Sequence, residues 1–106
     1  MFNEYLLDWD KPITLIEGPF DHIFVDNSIP MLGKKLSEYL FNLLYEKAKE
    51  IRIILDGDAW ENAQRIYHQL NGGRLFGKIW ISRLPDEADI ADLCGDLTEY
   101  PSFQID

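Results

Sequence analysis

The sequence predicts an α/β fold: a mostly parallel sheet of about four strands with helices on both faces. Short β-branched runs alternate with segments of helical periodicity, which is the signature of strands joined by helical crossovers. Two runs end at an acid followed by glycine, Glu17-Gly18 and Asp56-Gly57, and the third runs through Leu84-Pro85 into Asp86, as strands do where loops converge at one edge of a parallel sheet. With 106 residues and 46% apolar side chains, the chain fits one hydrophobic core and therefore a single domain over residues 1–106.

Lys11 to Glu17 reads KPITLIE, a buried strand that Pro12 can open but not interrupt. Gly18 and Pro19 break it, and Phe20, Ile23 and Phe24 then recur at the i, i+3, i+4 spacing of a short helix over Phe20 to Val25. Asn27 and Ser28 end that segment. Ile29 to Leu32 is a brief apolar stretch closed by Gly33, and Lys34 to Lys49 carries Leu36, Tyr39, Leu40, Leu43 and Leu44 at helical spacing. Glu50 to Asp58, EIRIILDGD, is a second located strand that stops at two acids around Gly57. Helical periodicity resumes through Ala59, Ala63, Ile66, Tyr67 and Leu70, with Asn71, Gly72 and Gly73 as the stop. Gly77 to Leu84 is a third strand, in which Trp80 is expected in the core. An acid-rich loop from Pro85 to Asp92 leads into a short helix around Ile90 and Leu93, and Pro101 to Asp106 receives no assigned structure.

Nineteen acids against ten Lys and Arg leave a formal charge of −9. Such a field repels polyanions, so it lacks the basic footprint of a self-sufficient nucleic-acid binder. No apolar run approaches the roughly 20 residues of a membrane span, and Met1 precedes acidic residues and no basic, apolar leader. The lone Cys94 cannot form an internal disulfide. These features predict a soluble, cytoplasmic protein with no membrane partner.

Three strands deliver carboxylates to one edge, where mutual repulsion calls for a cation or a proton. Glu17 follows the first strand, Asp56 and Asp58 the second, and Asp86 and Asp89 the third. Gly57 lets the backbone turn between the two aspartates, and the oxygen-only donor set suits Mg²⁺, which keeps waters and takes substrate phosphate oxygens. Helix capping by Asp58 is the plainer alternative. Lys34 and Lys35 after Gly33, at an expected helix start, and Arg83 beside the acid loop are candidate phosphate contacts, with salt-bridging to Asp86 and Asp89 the alternative for Arg83. His22 and His68 lack metal-ligand spacing and read as helix residues. Trp60, beside the Asp56-Gly57-Asp58 turn, is a candidate stacking surface for a ligand.

The order of these pieces is strand-Glu-Gly-x-x-Asp, Leu-Gly before a helix, strand-Asp-x-Asp-helix, then Leu-Pro-Asp-x-x-Asp. It is carried by IEGPFD at Ile16 to Asp21, MLGK at Met31 to Lys34, ILDGD at Ile54 to Asp58 and LPDEAD at Leu84 to Asp89. Over residues 12–95 this resembles the toprim domain, a metal-binding module shared by bacterial and phage-type primases, topoisomerases and some nucleases, and it is most similar to that of the primases. The resemblance implies a toprim-like fold. It also implies Mg²⁺ or Mn²⁺ as cofactor, Glu17, Asp56 and Asp58 as metal ligands or catalytic acids, and Asp21, Asp86 and Asp89 as supporting acids. It further implies Mg²⁺-dependent nucleotidyl transfer that makes RNA primers from ribonucleotides on a DNA template. The chain departs from the pattern in two ways. Trp60 and Glu61 stand where primases commonly have a small Ala-Gly pair, and no Cys-His zinc module or basic subdomain is present. Those modules are expected on another domain or chain. Two alternatives share the resemblance: a metal-dependent nuclease using the same acids, and a noncatalytic scaffold of a replication complex.

Overall fold

The computed structural model describes residues 7–18, 27–31, 35–85 and 100–105. Its framework is four strands, β1 (Ile13–Ile16), β2 (Ser28–Pro30), β3 (Ile51–Ile54) and β4 (Ile79–Ser82), with two helices, α1 (Glu38–Lys47) and α2 (Trp60–Leu70). The sheet order is β2-β1-β3-β4 and every pairing is parallel. The α/β class and the four-stranded parallel sheet are those the sequence predicts, whereas the two described helices share one face instead of covering both. The helices predicted over Phe20 to Val25 and around Ile90 and Leu93 lie outside the described residues.

The chain steps from β1 to β2 on one side, then returns through α1 across β1 to β3, and continues through α2 to β4. The last two crossovers travel in the same direction, and right-handed crossovers in one direction place their helices on one face. Alternation along the strands agrees with this. Ile13 and Leu15, Ile51 and Ile53, and Ile79 and Ile81 join Leu40 and Leu44 of α1 and Ala63, Ile66, Tyr67 and Leu70 of α2 in one buried cluster. Each of these isoleucines is fully buried, worth about 2 kcal/mol apiece relative to exposure. The opposite parity forms a smaller cluster of Ile16, Ile54 and Leu84 with Tyr100 against it. Trp80 belongs to this second parity: it pairs with the exposed Arg52 and is only half-buried, so it is not the core residue its apolar strand suggests. The neighbouring isoleucines take the helix-covered side, and a period of two sends Trp80 the other way.

Both helix ends of α1 are built from local chemistry. Ser37 is the N-cap, its Oγ accepting from the Leu40 N–H at 3.1 Å. At the other end the Arg74 guanidinium donates to the Tyr45 carbonyl, at 2.6 Å from Nε, and shares the Leu44 carbonyl, at 3.3 Å, with the Ala48 N–H, which bonds it at 2.9 Å. The Tyr45 hydroxyl in turn accepts from the Arg74 N–H at 2.9 Å. Gly73 is required here: its φ is +54°, and a Cβ would collide with the Tyr45 hydroxyl.

Two findings were outside the reach of local pattern. Ser28–Pro30 is a fourth strand of three residues, at a sheet edge where Pro30 needs no ladder donor. The terminal segment, which carries no assignable pattern, pairs with β4. Phe103 and Ile81 exchange both backbone hydrogen bonds at 2.8 Å in an antiparallel bridge. Gln104 Nε2 donates to the carbonyls of Gly77 and Ile79, and the Ile105 N–H donates to the Tyr67 hydroxyl, which donates back to the Ile105 carbonyl. This backbone covers the free edge of β4.

At the opposite edge Asn27, with φ +56°, anchors the segment before β1. Its side chain accepts from the Asp8 N–H and donates to the carbonyls of Asp8 and Pro12. Among the described residues no helix is long and apolar enough to cross a membrane.

Candidate metal and phosphate site

Ile16 pairs with Pro30 on one side and with Ile54 on the other, and Ile54 pairs with Ser82. The four strands therefore end level. The next residues, read across the sheet, are Met31, Glu17, Leu55 and Arg83, and Asp56 follows Leu55. Neighbouring strands lie about 4.8 Å apart, so the sheet order sets Glu17 beside the end of the strand that leads to Asp56. Two of the acids singled out from sequence thus come from adjacent central strands. Their proximity depends on β1 standing between β2 and β3, which no local pattern reveals.

Glu17 is half-buried, with its Oε2 oxygen shielded from water. Asp56 is also half-buried and opens a 3₁₀ turn, Gly57–Ala59, that runs directly into α2. Gly57 is buried within the turn, and Asp58 is exposed. The capping alternative fails on geometry. Ala59, not Asp58, holds the N-cap position of α2, and Asp56, the residue before the 3₁₀ turn, makes no side-chain capping hydrogen bond. A turn that needed its aspartate only as a cap would show that bond.

Asp21, Asp86, Asp89 and Lys34 lie outside the described residues. Among the described residues no three His, Cys, Asp or Glu side chains are gathered to hold a metal ion. The donor chemistry nevertheless fits Mg²⁺, which binds through one or two carboxylates and completes its octahedron with water and phosphate oxygens, unlike an all-protein cage. Lys35 is exposed and lies before Ser37, because the helix begins four residues later than the Lys34 start read from the sequence. That first turn carries Glu38 and has its Leu40 N–H occupied by Ser37, so Lys35 is not on a helix N-terminus.

On the far side of β3, Arg83 places its guanidinium over the Trp60 ring, with Cζ at 4.9 Å from the ring centroid. Trp60 is the first residue of α2, half-buried against the main core, and its other neighbour is Phe103, at 6.1 Å between centroids and tilted by 43°. The sequence marks Trp60 and Arg83 separately; only the tertiary structure pairs them, and Phe103 carries no sequence signal at all. His68 is an exposed helix residue set edge-on to Tyr67, as expected.

A second concavity, of about 360 Å³, lies at the opposite end of α2 and β4, lined by Tyr67, His68, Asn71, Phe76, Gln104 and Ile105 among others. Among the described residues its lining contains none of Glu17, Asp56 and Asp58.

No protein-family model matches the sequence, and no curated protein matches it. The fold is similar to that in a crystal structure of the Aquifex aeolicus primase comprising its zinc-binding and RNA polymerase domains, with a TM-score of 0.60 and 22% sequence identity. The chain has a primase-related fold. The likeness covers 89% of this chain and 27% of the primase chain, so this chain corresponds to about a quarter of that structure. Identity at this level speaks to fold, and the chemistry has to be argued from the site.

Proposed function

We propose that the chain is a toprim-type domain or subunit of a primase that supports Mg²⁺-dependent nucleotidyl transfer, acting with other domains or a partner chain. The observation that carries this reading is that Glu17 and Asp56 follow the ends of adjacent parallel strands at one edge of the sheet, in a fold similar to that of a primase. Asp56 and Asp58 would hold Mg²⁺, with Glu17 as proton acceptor for the attacking 3′-hydroxyl. Bound there, the ion neutralises triphosphate charge and aligns the reacting oxygens. The half-buried position of Glu17 and Asp56 limits water around them, which strengthens their hold on a cation. DNA template and ribonucleotides are the proposed substrates. A chain of charge −9 needs help to retain a polyanion, which is the role proposed for zinc-binding and basic modules elsewhere.

Thermal unfolding with and without Mn²⁺ tests the metal site. At a concentration about ten times its dissociation constant, Mn²⁺ should add roughly 1.4 kcal/mol to the wild type, a rise of about 6–11 °C for a domain of this size. Asp56→Asn should lose most of that rise, and an equal response in both proteins would remove the metal site. In a reconstituted reaction with the accompanying modules, template and ribonucleotides, Asp56→Ala and Asp58→Ala should abolish primer synthesis without unfolding the domain. Metal-dependent cleavage of RNA or DNA by the chain alone, lost in the same variants, would replace the primase reading with a nuclease.

A further inference from the structure

We infer that Arg83 is a phosphate-binding group of this site and that Trp60 is the residue that positions it. The inference takes its ligand, a phosphoryl oxyanion of a nucleotide or of a nucleic-acid backbone, from the primase reading above. Four observations carry it. Arg83 is the residue immediately after β4, level with Glu17 and Leu55 across the sheet, so it stands on the same edge as the acids and about two strand spacings, or roughly 10 Å, from Glu17. Its side chain is exposed, yet its guanidinium sits over the Trp60 ring at 4.9 Å. Trp60 itself is held from behind, half-buried against the main core and next to Phe103, whose backbone is locked to Ile81 by two 2.8 Å hydrogen bonds. Finally, Trp60 lies two residues beyond Asp58, on the same turn that presents the aspartates.

The physics of that stack is specific. A guanidinium over an aromatic ring is attracted to its π face, and its planar fork of N–H donors matches the paired oxygens of a phosphate. The ring also removes much of the rotamer entropy a long exposed side chain would lose on binding. An anionic ligand approaching an edge lined by carboxylates gains from a second fixed cation near the metal. Lysine at position 83 would keep the charge but lose the planar fork.

Calorimetric titration of the full chain with Mn²⁺ and inorganic triphosphate, with ATP, and with a short single-stranded oligonucleotide tests the assignment in wild type, Arg83→Gln, Arg83→Lys and Trp60→Leu. Arg83→Gln should weaken phosphate binding about tenfold, the scale of one charge-assisted contact, with Arg83→Lys falling between it and wild type. Its thermal response to Mn²⁺ alone should match wild type. That control separates the two readings, since loss of the Mn²⁺ response in every protein would sink the metal site while leaving Arg83-dependent phosphate binding to stand. Trp60→Leu, which keeps apolar bulk, should lose most of the same affinity; if it fails to fold, the exposed Arg83 variants still decide. Dependence seen with triphosphate and ATP assigns Arg83 to the nucleotide, and dependence seen with the oligonucleotide assigns it to the backbone. Equal affinity of wild type and Arg83→Gln for all three ligands would overturn the inference.

Discussion

At its carboxyl-terminal end α2 is tied to the chain itself, whereas at its amino-terminal end it presents groups outward. Tyr67 exchanges two hydrogen bonds with Ile105, Asn71 Oδ1 accepts from the Gly77 N–H at 2.9 Å, and Gln104 reaches the carbonyls of Gly77 and Ile79. Polar atoms there go to backbone groups that would otherwise be unmet beside a sheet edge, so they hold the fold. At the amino-terminal end the turn has no side-chain cap, Asp58 and Arg83 are exposed, and Asp56 and Trp60 are half-buried. That end is assembled from three separate strand termini.

The contrast can be broken by substitution. Phe103→Pro removes the N–H that bonds Ile81 and the ring beside Trp60, and should cost about 2–3 kcal/mol in urea unfolding. Tyr67→Phe should cost about 1–2 kcal/mol by the same measurement, because it leaves the Ile105 N–H without its acceptor in a partly buried setting. Asp56→Asn should change metal-free stability by no more than about 0.5 kcal/mol. A loss as large as that of Tyr67→Phe would place both ends of α2 in the same structural class.

The smallest effect concerns the exposed ion pair of Asp10 and Lys49, 2.8 Å apart. The hydrogen bond and charge of Lys49 lower the Asp10 pKa, and those of Asp10 raise the Lys49 pKa. The depressed Asp10 contributes above the ordinary carboxylate pKa of about 3.9 and loses that contribution as pH falls through its lower folded value. The raised Lys49 contributes below about pH 10.4 and loses that contribution as pH rises through its higher folded value. Salt should erase the small plateau between those limits, and Lys49→Met should show no salt-sensitive part in melting curves across that range.

Much of the frame was legible from the residues in order. The β-branched runs at Ile13 to Ile16 and Ile51 to Ile54 and the periodicity of Trp60 to Leu70 are local signals, and a strand's last residue marks where an acid must emerge. Boundaries shifted where local chemistry overrode the pattern, as when the Ser37 cap set the start of α1 at Glu38, four positions after Lys34. Trp80 was misread because an apolar run does not say which face of a strand is covered.

By itself, then, the sequence determined the α/β class, the acids at strand ends and the −9 charge, since these follow from composition and from periods of 2 and 3.6 residues. Tertiary structure alone decided that β1 lies between β2 and β3, so that the strand ends leading to Glu17 and Asp56 lie side by side; that Ser28–Pro30 is a strand; that Phe103 pairs with Ile81; and that Arg83 rests on Trp60. The reason is common to all four. Each is a contact between residues far apart along the chain, formed only once burial of the shared core has chosen which strands lie side by side.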